Sequence, residues 1–82
     1  MASTAQFNRM ASLLRDIARS GGHDTWSHLH SHGHSHATLR SAVARECVRH
    51  QSPYYMLTDH GREWLVVAAQ IEGWSPDLQK SA

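Results

Sequence analysis

One cysteine in 82 residues, Cys47, excludes an internal disulfide framework and any zinc site built on several thiolates. The opening MASTAQFNRM is not followed by an apolar run long enough for a signal peptide or a transmembrane helix. A reducing, cytoplasmic setting is expected. An excess of charge of one sign is missing too. Eight Lys/Arg against seven Asp/Glu leave +1 with neutral histidine, so composition alone announces no polyanionic partner. Glycine-rich phosphate loops, nucleophile motifs and paired carboxylates are likewise missing, and an enzyme is not expected. Cys47 beside Val48 reads as a small buried residue rather than a reactive thiol.

What is there fits one small domain. A chain of this size buries only about 60% of its unfolded surface, so good packing matters. Hydrophobic content of 40% with three tryptophans argues for a folded chain. The conspicuous stretch is HLHSHGHSH, in which His28, His30, His32, His34 and His36 take every second position around Gly33. With eight histidines in all, the chain becomes more cationic below about pH 6.5.

Alternating histidines would line one face of a strand, but Gly33 and the helical elements on either side argue against one here. On a helix the usable pairs are four apart: His28/His32, His30/His34 and His32/His36. The last two straddle the glycine. One pair supplies two imidazoles, whereas a structural zinc needs four ligands and a catalytic zinc three, for instance with Asp24 added. Neither a metal site nor a cofactor is expected on this count, and His28 and His32 are the candidates if a metal binds. The favoured reading is of exposed polar residues on a short helix and turn.

Along the chain, Phe7, Met10, Leu13, Leu14 and Ile17 recur at helical spacing over Ala5 to Ser20, with Ser3 or Thr4 as cap and Gly21-Gly22 as stop. Asp24 or Thr25 caps a short second helix holding Trp26 and Leu29, which Gly33 ends. Ser35 caps a third helix through Arg45, with Leu39, Ala42 and Val43 on one face and Ala37, Arg40, Ser41 and Ala44 on the other. Two short runs, Cys47 to His50 and Tyr54 to Leu57, read as a tight hairpin joined by Gln51-Ser52-Pro53. Thr58 or Asp59 caps a last helix ending at Gly73. The reading is a mainly α domain with a small β-hairpin over residues 5–73, between tails at 1–4 and 74–82.

Two stretches in this order resemble the winged helix-turn-helix family of DNA-binding domains. Gly33-His34-Ser35-His36-Ala37-Thr38-Leu39-Arg40 is similar to that family's turn and recognition-helix start. Tyr55-Met56-Leu57-Thr58-Asp59-His60-Gly61-Arg62-Glu63-Trp64-Leu65 is similar to its second wing strand entering the last helix. In that second stretch Leu57 and Leu65 serve the core, Thr58 caps, and Gly61 permits close packing. Where the family usually carries a leucine, and then a glycine before the first wing strand, this chain has Glu46, with Cys47-Val48 following.

The resemblance implies a small transcriptional regulator of bacterial or phage type that binds double-stranded DNA. The helix starting at Ser35 would enter the major groove. Arg40 is the best candidate for a guanine contact, His36 and Ser41 would meet bases or phosphates, and Ser35 and Ala37 would lie at the DNA beside them. Thr38, Arg45, Arg49, His50 and Gln51 would contact the backbone. Trp64, Val67, Ile71 and Trp74 would offer a homodimer surface. Two alternatives accompany this reading: a protein-interaction module on the same fold, such as a phage factor docking on host machinery, and a metal-responsive regulator using the His28–His36 patch.

Overall fold

The computed structural model describes residues 4–72. It is a mostly helical domain with a small three-stranded antiparallel sheet. The elements run α1 (Thr4–Arg19), β1 (His23–Thr25), α2 (Trp26–Ser31), α3 (His36–Ala44), β2 (Val48–Gln51), β3 (Tyr54–Leu57) and α4 (Asp59–Glu72). The apolar stripe of α1 is the centre of the core: Leu13, Leu14 and Ile17 are fully buried. Against them pack Leu29 from α2, Leu39 from α3, Leu65 from α4, and Cys47, Val48 and Leu57 from the sheet side. Each large aliphatic side chain buried in this way contributes about 1.5–3 kcal/mol.

Three helices end in the same left-handed turn. After α1, the Gly21 N–H donates to the Ala18 carbonyl (3.1 Å) and the Gly22 N–H to Ile17 (3.0 Å). After α2, Gly33 donates to His30 (3.0 Å) and His34 to Leu29 (3.2 Å). After α3, Glu46 donates to Val43 and Cys47 to Ala42, both at 3.0 Å. This is the Schellman pattern, which satisfies carbonyls that a helix end would otherwise leave without partners. In each case the chain doubles back, and the second residue past the cap, Gly22, His34 or Cys47, is buried. Gly21 and Gly33 take the left-handed position at φ 92° and 88°. In α3 that position falls to Glu46 at φ 61°, where a Cβ adds steric cost.

The sheet runs β1-β3-β2. The two-stranded hairpin expected from the sequence therefore has a third strand, with His23 opposite Met56 and Thr25 opposite Tyr54. Three polar residues give no alternating apolar pattern, so β1 is not recognisable locally; pairing with β3 creates it. The Gly22 carbonyl extends the join by accepting the Leu57 N–H at 2.8 Å. The hairpin itself is tighter than expected. β2 starts at Val48 and includes Gln51, so only Ser52 and Pro53, joined by a cis peptide, make the turn. Val43, which shares a helix face with Leu39 and Ala42 in sequence, is 37% exposed, because those two residues fill the buried side of α3.

One junction ties α3, the hairpin and α4 together. The Thr58 hydroxyl donates to the Glu46 carbonyl (2.6 Å) and accepts from the Gly61 N–H (3.0 Å), capping α4. The Thr58 N–H donates to the Cys47 carbonyl at 3.1 Å. That carbonyl lies so close to α4 that a Cβ on Gly61 would be 2.2 Å from its oxygen. Trp64 turns inward onto Phe7, ring centroids 5.0 Å apart. Of the expected dimer surface, Val67 and Ile71 are 54% and 69% exposed, and Trp74 lies outside the described residues.

Two substitutions test these backbone constraints by urea unfolding. Gly61→Ala is expected to destabilise by about 2–3 kcal/mol, since backbone rather than a flexible side chain must yield. Glu46→Gly is expected to stabilise by about 0.5–1 kcal/mol, the relief of left-handed strain exceeding the extra chain entropy of glycine.

Candidate nucleic-acid interface

Helix α3 is positioned from both ends. At its start Ser35 Oγ accepts the Thr38 N–H (3.1 Å) and shares a hydrogen bond with Thr38 Oγ1 (2.9 Å). These two hydroxyls, both expected at the DNA, are thus already engaged in the cap, and Thr38 is half-buried. With Leu39 and Ala42 inward, the helical period turns His36, Ala37, Arg40 and Ala44 outward, all exposed. Ser41 sits half-buried on the flank.

That flank borders a depression of about 250 Å³ between α1, α3 and α4. Ala37, Thr38, Ser41 and Arg45 form one wall; Phe7, Arg9 and Met10 of α1 and Trp64 of α4 form the other. Both charged residues lining it are arginines. Arg9 was not anticipated as a site residue, because on α1 alone it is one more polar position of an amphipathic helix. On the hairpin, Arg49, His50 and Gln51 are exposed. His50 lies opposite Tyr55 in the ladder and stacks on its ring at 4.3 Å and 8°, so its imidazole is held flat against the sheet.

The histidine stretch is less peripheral than expected. His34, placed among exposed residues by the sequence reading, is buried at 8% exposure, with Nε2 2.5 Å from Asp16 Oδ2 on α1. His32 Nδ1 approaches the same oxygen at 3.2 Å. His28 Nδ1 lies 2.6 Å from Oδ2 of the buried Asp24, which also accepts from the Ser20 hydroxyl (3.1 Å) and the Thr25 N–H (2.8 Å). His36 and His30 both touch the Trp26 ring, with centroids 5.3 Å apart in each pair. Asp16 was missed by the sequence reading because its partners lie 16 and 18 residues away.

Burial pushes the Asp16 carboxyl upward, but hydrogen bonds from His34 and His32, followed by their charge, outweigh it and hold it below its ordinary 3.8. Burial raises the Cys47 thiol against the opposing charge of Arg45, which keeps it protonated and unreactive near neutral pH. No cluster of three or more metal-capable side chains forms among the described residues. No helix among them is long and apolar enough to cross a membrane. Comparisons with family models, curated proteins and solved structures returned no match.

Because Asp16 holds its proton less tightly in the folded chain than in the unfolded one, its contribution is complete above about pH 4 and is lost as pH falls through the lowered folded value. Urea midpoints measured from pH 6 down to pH 2.5 should therefore fall more steeply for the wild type than for Asp16→Asn. Parallel curves would remove Asp16 from the acid response.

Proposed function

We propose that the chain is a winged helix-turn-helix DNA-binding domain acting as a small cytoplasmic transcriptional regulator. The order α1-β1-α2-α3-β2-β3-α4 supports this, as does the tight Gly33 turn setting α3 after α2. In this reading α3 enters the major groove and the β2–β3 hairpin follows the phosphate backbone. Arg9 and Arg45 flank the helix where phosphates would pass.

The observation that carries the reading is the outward face of α3. Ala37 and Ala44 surround Arg40 with side chains too small to hold the backbone away from a partner, and none of the three is drawn into the core. Arg40 would grip guanine O6 and N7; His36 is steadied on Trp26 at the helix start, nearest the bases. Arg45, Arg49 and Gln51 position without specifying.

A protein-facing use of the same fold is the second reading. It is favoured by the net charge of +1, which limits counterion release, and by the exposed Val67 and Ile71 on α4. Among the described residues, a homodimer through this surface would rest on those two, since Trp64 is occupied by Phe7.

Selection of a binding site from random duplexes, followed by titration at several salt concentrations, tests the first reading. Arg40→Ala should lower specific affinity by about 1–3 kcal/mol and relax preference at one base pair, whereas Arg45→Ala should weaken all sequences alike and flatten the salt slope. Equal affinity of Arg40→Ala and wild type for the selected site would end the recognition-helix assignment. Salt-independent behaviour with one stoichiometric protein partner would favour the second reading.

A further inference from the structure

The five histidines of residues 28–36 are not equivalent once folded. His34 is buried with its Nε2 at Asp16. His30 and His36 lean on Trp26, and among the described residues no carboxylate meets either ring. His28 and His32 differ from all three. They stand one turn apart at the end of α2, with ring centroids 4.1 Å apart. Each directs Nδ1 at a carboxylate, Asp24 for His28 (2.6 Å) and Asp16 for His32 (3.2 Å).

From this geometry we infer that His28 and His32 form an exchangeable site for a borderline divalent cation of the zinc type, with Asp24 and Asp16 orienting the rings from behind. An ionised carboxylate only accepts hydrogen bonds, so each Nδ1 carries the proton and the lone pair of the neutral ring lies on Nε2. A carboxylate behind the far ring nitrogen is the outer partner that metal-binding histidines use; it fixes the tautomer and raises ligand basicity. Both side chains are close to half exposed, at 46% and 45%, and no hydrogen bond from a described residue engages either Nε2. Imidazole nitrogen suits zinc, cobalt and nickel rather than calcium or magnesium, which demand oxygen.

Two protein ligands leave coordination positions for water, since no third ligand joins them among the described residues. The ion is therefore exchangeable and does not hold the fold. The site does not depend on DNA binding, and its test needs no DNA.

Calorimetric titration of the full chain with zinc chloride at neutral pH, in a non-chelating buffer, is expected to show one ion bound. His28→Asn and His32→Asn should each weaken it at least tenfold, and His30→Asn and His36→Asn less than twofold. Asp24→Asn, which removes no ligand, should cost about 10–100-fold. An equal loss from all four histidine variants would mean adventitious binding by a histidine-rich surface and would overturn the site. So would unchanged affinity in both His28→Asn and His32→Asn, or in a folded Asp24→Asn. Imidazole nitrogen NMR of the wild-type chain decides the matter even if Asp24→Asn fails to fold: zinc should shift Nε2 of His28 and His32 while Nδ1 stays protonated. Coordination through Nδ1, or through other rings, would refute the inference.

Discussion

The Asp16 carboxylate on α1 fastens the central helix to the turn that aims α3. Around it Leu13, Leu14 and Ile17 supply the burial energy, but apolar packing alone has no direction and tolerates small slips of one helix on another. A single oxygen meeting two imidazoles from the α2–α3 turn does have direction. It anchors the turn at the point where the backbone is left-handed and α2 has given up its last hydrogen bonds. That one group ties the α2–α3 turn to α1 and fixes the tautomer of His32, while the core packing of Leu39 and Ala42 and the Thr58 junction hold the rest of α3.

The same economy governs the other helix ends. A Schellman turn leaves little freedom in the next two residues, so whatever stands at the second position is driven inward. Glycine there lets β1 start and lends its carbonyl to Leu57; histidine reaches Asp16; cysteine closes the core under Val48. The third turn has the least tolerance. The Cys47 carbonyl is hydrogen-bonded to Thr58 and pressed against Gly61, so the left-handed residue before it is held in place whether or not it is glycine. That is a physical reason why Glu46, which carries a Cβ, is accepted in a left-handed position.

These constraints leave a molecule with two distinct polar regions. The outward face of α3 and the hairpin expose Arg40, Arg45 and Arg49, a local excess of positive charge on a chain whose net charge is near neutral. The end of α2 presents imidazoles backed by carboxylates, an arrangement suited to a cation. Asp16 supports both, through His34 for the position of α3 and through His32 for the proposed cation site.

Much of this was legible residue by residue. The four helices follow from the spacing of Phe7 to Ile17, from caps at Thr25, Ser35 and Thr58, and from glycine stops at 21 and 33. These are local effects, decided within one or two turns of chain. The outward position of Arg40 was legible for the same reason. Three features were settled only by tertiary structure. Strand β1 exists because β3 pairs with it, His34 is buried because Asp16 waits on another helix, and Arg9 joins the α3 flank because α1 packs beside it. Histidine and aspartate are polar in any local reading. Which of them face water, a core or a possible ion is decided by partners that the sequence places far away and the fold brings close.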